Sequence, residues 1–156
     1  MEKAATGQAE GDSLRLEDQL CFALYAASRA VTASYRPLLD QLGLTYPQYL
    51  VMLALWERDS LSVRDLGAAL QLESSTLSPL LKRLEANGLV LRERRVDDER
   101  SVAVRLTEAG AALQAKARDV PLAIGDAMNL TPEQDATARH LLRLITANVT
   151  AGERRS

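Results

Sequence analysis

Residues 62–106 read SVRDLGAALQLESSTLSPLLKRLEANGLVLRERRVDDERSVAVRL, and the hydrophobic period changes once inside that stretch. Its first half repeats every three to four residues. Ser62 is placed to cap a short helix over Val63–Leu70, with Val63, Leu66 and Leu70 on the inward face. A tight turn at residues 71–74 leads to a second helix carrying Leu77, Leu80, Leu81 and Leu84. That helix ends at Asn87-Gly88, where glycine suits the left-handed position past a helix C-terminus. Pro79 is best tolerated in a first turn, which predicts a start near Ser75 or Thr76. In the second half the period shortens: residues 89–94 and 101–106 read as strands of a β-hairpin joined by the charged tip at residues 96–100.

Helix, tight turn, helix and hairpin, in that order, is the winged helix-turn-helix. In such a unit the second helix enters the DNA major groove, where base edges carry a distinguishable pattern of donors and acceptors. Its first turn here offers the short hydroxyls of Ser74, Ser75, Thr76 and Ser78. Lys82 and Arg83 follow on a side free to meet phosphates, and the hairpin would carry an arginine into an adjacent minor groove. Between residues 74 and 106 there are seven basic and five acidic side chains, a local charge of +2 on a chain of net −2. Phosphate neutralisation dominates DNA affinity, so basic charge gathered there suits that partner. The competing reading is a solvated helix face beside an ordinary hairpin.

Outward from this unit the chain is mostly helical. Residues 14–35 form an amphipathic pattern through Leu16, Leu20, Leu24, Ala27 and Val31, which Pro37 is expected to end or kink. A short segment then stops at Gly43, and Thr45 caps a helix opening Tyr46-Pro47. Beyond the hairpin, a helix from Thr107 is expected to reach about Asp119 before Pro121. Thr131-Pro132-Glu133-Gln134 is a capping box for a last helix to about Val149. Phe22 and Trp56 read as core, and His140 as a surface or interface residue. Residues 1–12 and 150–156 read as disordered ends.

Composition narrows the function. The 156 residues are 47% hydrophobic and 26% charged, ordinary for one globular domain. No apolar run approaches a membrane span and the start lacks a signal-peptide pattern, so the expectation is a cytoplasmic protein. One cysteine, Cys21, and one histidine leave no intrachain disulfide and little for a metal or a hydrolase triad. No cofactor is expected, and the chain does not read as an enzyme. A lone cysteine on an apolar helix face is ordinarily a small buried hydrophobe, whereas a sensor thiol needs a stabilised thiolate and access for oxidant.

Asp97-Asp98-Glu99-Arg100-Ser101, between Gly88-Leu89-Val90 and Leu106-Thr107-Glu108-Ala109-Gly110, resembles the wing of the multiple-antibiotic-resistance regulator (MarR) family. The resemblance spans about residues 14–149. It implies a mainly α fold with a small β-hairpin, in which the N- and C-terminal helices form an interleaved homodimer. Residues 14–45 and 107–149 would then be the dimerisation region and 46–106 the DNA-binding region, one per half-site of a pseudo-palindromic operator. By this resemblance Arg100 enters the minor groove, Asp98 orients it through a salt bridge, and Arg94 and Arg95 meet phosphates.

Leu16-Glu17-Asp18-Gln19-Leu20-Cys21-Phe22, with Tyr35-Arg36-Pro37-Leu38-Leu39 and Thr45-Tyr46-Pro47-Gln48-Tyr49, is further similar to the organic hydroperoxide resistance regulator (OhrR) branch. That implies a repressor released when an organic hydroperoxide oxidises Cys21. Tyr35 and Tyr46 of the partner subunit would hydrogen-bond its thiolate, and Tyr25 would line the region. Residues 123–129 hold no cysteine, so the likeness is to the one-cysteine type, in which a low-molecular-weight thiol caps the oxidised sulfur or oxidation runs on irreversibly. Two other readings stay open: release by a non-covalent phenolic or lipophilic ligand, with Cys21 as packing, and a thiol peroxidase, disfavoured by the missing second cysteine.

Overall fold

Thr45 and Gln48 show how local chemistry starts the central helix. The Thr45 hydroxyl accepts the Gln48 backbone N–H, and the Gln48 side-chain oxygen accepts the Thr45 N–H at 3.0 Å. The computed structural model describes residues 13–98 and 100–153. Within them run α1 (Leu20–Asp40), α2 (Tyr46–Glu57), β1 (Ser60–Ser62), α3 (Val63–Leu70), α4 (Ser74–Ala86), β2 (Val90–Arg94), β3 (Val102–Leu106), α5 (Glu108–Ala117), α6 (Val120–Met128) and α7 (Pro132–Glu153). The chain divides into two compact units, one reaching to Val120 and one from Pro121 onward.

In the first unit, α3 and α4 form the helix-turn-helix and β2–β3 the wing. Ser62 caps α3 by accepting the Asp65 N–H at 3.0 Å, as expected. Gln71 takes the left-handed conformation in the turn. Leu66, Leu77, Leu81 and Leu84 are buried with Val51, Met52 and Leu55 of α2 and Val90 and Val104 of the sheet. Together they make the core beneath the recognition helix. The sheet has a third strand that the sequence pattern did not suggest: β1 pairs antiparallel with β3, Leu61 opposite Val104, in the order β1-β3-β2. A three-residue strand with one inward side chain is too short for alternation to reveal.

Two proline expectations are corrected. Pro37 lies inside α1, which continues to Asp40 because Leu39 in its last turn is buried in the core. Tertiary burial there outweighs the local preference against helix before proline. Pro79 lies within α4, beyond its first turn, and the helix starts at Ser74, next to the expected start near Ser75 or Thr76. The bond it forgoes would have gone to the carbonyl of exposed Ser75, which water can satisfy. The pattern from residue 14 also resolves differently, into a single 3-10 turn, Leu16–Asp18, before α1. Phe22 is exposed in this chain, and Trp56 only half-buried. On α2 the buried face is Gln48, Tyr49, Val51, Met52 and Leu55, with Leu53 exposed.

The base of the wing is closed by α5. Thr107 caps that helix, its hydroxyl accepting the Gly110 N–H at 3.0 Å while donating to the Gly88 carbonyl at 2.6 Å. Gly88 takes φ +73°, the left-handed turn expected after α4. In the second unit α6 follows α5 after a short break, with Pro121 in its first turn where no N–H is needed. The Thr131–Gln134 capping box forms in both directions, at 2.9 and 3.2 Å. The helix it opens, α7, exposes Leu141, Leu142, Leu144 and Val149 along its length. Residues 150–153, expected to be disordered, are its last turn; residues 1–12 and 154–156 lie outside the described residues.

Gly110 sets the sharpest test of this packing. A Cβ there would sit 2.1 Å from the Leu89 carbonyl oxygen, a backbone atom that cannot swing aside. Glycine to alanine inside a helix ordinarily stabilises by about 1 kcal/mol. Here the sign reverses, and Gly110→Ala is expected to destabilise by about 3 kcal/mol, read as a fall in the urea midpoint.

Candidate functional site

The recognition surface is a matter of which face of α4 the core leaves free. With Leu77, Leu81 and Leu84 buried, Ser74, Ser75, Thr76, Ser78, Lys82 and Arg83 are all exposed. Hydroxyls occupy the N-terminal turns and cations the next, which places donors and charge in succession along one element.

The wing sorts its charges by pairing. Arg92 is held by Glu85 of α4, which accepts both its backbone N–H at 3.2 Å and its Nε–H at 2.9 Å. Arg105 faces Glu93 at 3.5 Å across β2–β3. Arg95 donates twice to the Asp97 carboxylate, at 3.0 and 2.9 Å, and that pairing holds the Asp97 carboxyl below its usual range. Among the described residues Lys82, Arg83, Arg94 and Arg100 form no ion pair. In the free chain Asp98 accepts the Arg100 backbone N–H at 3.0 Å, which shapes the turn, and the two side chains form no salt bridge. The physical reason is the turn itself, where an aspartate two residues back satisfies the backbone first. Glu99 lies outside the described residues.

Cys21 is exposed on α1, so the buried-hydrophobe reading does not hold for the single chain. Tyr25 lies one turn away and is also exposed, with Arg29 stacked over its ring at 5.4 Å. Tyr35 is on the same unbroken helix, fourteen residues on, which at about 1.5 Å per residue sets it roughly 21 Å from Cys21. Tyr35 instead meets Tyr46 of α2, ring centroids 4.6 Å apart. The structure therefore brings Tyr35 and Tyr46 together but holds both away from the sulfur of their own chain.

Two further aromatics belong to this cluster and were missed in the sequence. Tyr49 packs 5.7 Å from Tyr35, and Trp56 6.3 Å from Tyr49, edge to face. Their spacing on α2, three and seven residues apart from Tyr46 onward, is the signal that places them on one face. Burial pushes the Tyr35 phenol above the ordinary 10.0, with Tyr46 adding to it, and does the same for Tyr49. Among the described residues, no three of His, Cys, Asp or Glu cluster as metal ligands would, and no helix is long and apolar enough to cross a membrane.

A recognition helix with a free polar face, a charge-sorted wing and a supporting core define a winged helix-turn-helix regulator of transcription. Residues 33–116 match the family described as transcriptional regulator SarA/Rot. Over 110 residues the chain is 56% identical to the organic hydroperoxide resistance transcriptional regulator of Bacillus subtilis strain 168, covering 70% of this chain and 75% of that one. AbfR of Staphylococcus epidermidis, solved bound to DNA in overoxidised form, superposes with a TM-score of 0.73 at 38% identity, covering 88% of this chain and 98% of its own. Reduced AbfR bound to DNA gives 0.72 at 38%, covering 87% and 97%. The chain belongs to the organic hydroperoxide resistance regulators, a branch of the MarR-type transcriptional regulators, and has a single cysteine.

The tyrosine cluster has a direct readout. In a phenolate absorbance titration of the folded protein, Tyr35→Phe should remove a phenol that titrates above 10.0. The folded form holds these protons more tightly than the unfolded one. Their contribution to stability is therefore complete below 10.0 and is lost as pH climbs past it.

Proposed function

We propose that the protein is a cytoplasmic, homodimeric repressor that holds a pseudo-palindromic operator while Cys21 is reduced and leaves it when an organic hydroperoxide oxidises that residue. The observation that carries this reading is the separation of parts along α1. Cys21 is open to solvent, while Tyr35 and Tyr46 form a ready pair of phenols roughly 21 Å away. Only a second copy can bring that pair to the sulfur, so the sensing site is built across the dimer. Tyr25 lines it from the cysteine's own chain.

The chemistry balances without a cofactor. The Cys21 thiolate attacks one peroxide oxygen, an S–O bond forms, the O–O bond breaks, and the leaving alkoxide takes a proton to depart as an alcohol. Sulfur has lost two electrons and stands as sulfenic acid. A low-molecular-weight thiol then displaces the hydroxyl, forming a mixed disulfide and releasing water. AbfR has been solved on DNA in both reduced and overoxidised forms, so in that relative oxidation alone does not forbid docking. Release here is accordingly assigned to the bulk of the thiol adduct, which forces the Tyr35 and Tyr46 contacts apart and alters half-site spacing.

On DNA, Ser74, Ser75, Thr76 and Ser78 approach bases and phosphates in the major groove, Lys82, Arg83 and Arg94 neutralise phosphates, and Arg100 enters the minor groove from the turn that Asp98 shapes. Arg95 reaches phosphate only by giving up Asp97. A second reading, release by a non-covalent phenolic or lipophilic ligand, is favoured by one observation: a groove of about 660 Å³ along α1 lined by Phe22, Tyr25, Arg29 and Arg36 among others.

The deciding experiment is a gel shift on the promoter beside the protein's own gene, with cumene hydroperoxide and a small thiol, paired with intact mass. Wild type should gain the adduct mass and release the DNA, and Cys21→Ser should do neither. Release by Cys21→Ser, or release of wild type without mass gain, would establish the ligand reading instead. Arg94→Ala should also flatten the dependence of log affinity on log salt by about 0.9 per subunit, whereas Arg92→Ala, already neutralised by Glu85, should leave that slope unchanged.

A further inference from the structure

We propose that Trp56 is a positioning residue that ties the Tyr35–Tyr46 pair to the base of the wing, through a hydrogen bond from its indole to Gly110. The proposal rests on the redox reading above and says how a change at the tyrosines reaches the DNA-binding surface. Four rings run in sequence, Tyr46 to Tyr35 to Tyr49 to Trp56, with successive centroids 4.6, 5.7 and 6.3 Å apart. Rings packed in contact pass a displacement along once it exceeds the small clearance between them.

At the end of this ladder the indole Nε1–H donates to the Gly110 carbonyl at 2.9 Å. Indole has one polar group and it is a donor, so this bond is the only directional contact Trp56 can make. A phenylalanine would keep an aromatic ring there, smaller and without the donor. Gly110 is in turn closely packed and bonded on both its N–H and its carbonyl. Its Cα hydrogens face the Leu89 carbonyl at a distance no side chain could occupy, and its N–H is capped by Thr107. Thr107 also donates through its backbone N–H to Leu89 at 3.0 Å and through its hydroxyl to Gly88 at 2.6 Å. Gly88 and Leu89 link the end of the recognition helix α4 to the first wing strand β2. Movement of Trp56 thus acts on the joint between the two DNA-facing elements, and it reaches that joint without passing through the core leucines of α3 and α4.

A purely space-filling Trp56 would affect the reduced and the modified repressor alike, whereas a coupling residue changes the ratio between them. The chain has one tryptophan, so its emission reports this joint without a label. The experiment compares wild type and Trp56→Phe, each before and after modification with cumene hydroperoxide and β-mercaptoethanol, with intact mass confirming the adduct on Cys21. Operator affinity is measured in both states. Wild type is expected to lose about 100-fold in affinity on modification, and Trp56→Phe about 10-fold or less, with equal adduct yield and reduced-state affinity within about 3-fold of wild type. A Trp56→Phe protein that keeps the full wild-type ratio overturns the proposal while leaving the redox reading intact. A wild type that carries the adduct and keeps its operator overturns both. Should Trp56→Phe fail to fold, the wild-type emission decides: it should shift on adduct formation at Cys21, and an unchanged spectrum overturns the tie.

Discussion

The contact between Gly110 and the Leu89 carbonyl governs how the DNA-facing parts of this protein are joined. Because position 110 carries only hydrogens, the first turn of α5 can lie directly on the backbone that leaves α4 and enters β2. Thr107 then serves two elements at once, capping α5 and pinning Gly88. Trp56 adds the third tie by donating to the Gly110 carbonyl from the end of α2. Wing, recognition helix and central helix therefore meet through a few backbone atoms. Hydrogen bonds of this kind contribute about 1 kcal/mol each in stability, and their larger effect is directional, fixing the angle at which the wing leaves the helix-turn-helix.

Charge follows the same economy of placement. The DNA-facing stretch is only +2 by count, a weak signal for a polyanionic partner. Pairing leaves that net unchanged but sorts the charges, because three acids each engage one cation: Glu85 with Arg92, Asp97 with Arg95 and Glu93 with Arg105. These exposed pairs add little stability but remove three cations from general use. Among the described residues, Lys82 and Arg83 on α4 and Arg94 and Arg100 on the wing form no ion pair. A surface with few, well-placed cations binds DNA weakly without the right sequence beneath it, which suits a regulator that must discriminate and let go.

Much of this was legible in the residues. Caps announced themselves at Thr45, Ser62 and Thr131 because a hydroxyl followed by a helical run satisfies orphan N–H groups locally. The shift from a three-to-four to a two-residue period marked the wing, and Asn87-Gly88 marked the turn into it. Where reading failed, longer-range contacts had overruled short-range preference. Pro37 stays helical because Leu39 two residues later is buried, and β1 forms because β3 offers it an edge. In the free wing Asp98 satisfies the Arg100 backbone N–H and Asp97 pairs with Arg95, a division that spacing along the chain does not reveal.

The lone cysteine and the tyrosines divide along the same line. That Cys21 is the single thiol and that Tyr25 lies one helical turn from it are properties of local order along the chain, so they could be read from spacing alone. That Tyr35 stacks on Tyr46 instead of reaching Cys21, that Phe22 is exposed and that Trp56 finds an acceptor fifty-four residues away could not be. Such contacts arise when helices pack, and packing is chosen by the summed fit of many side chains, which no single stretch of sequence contains.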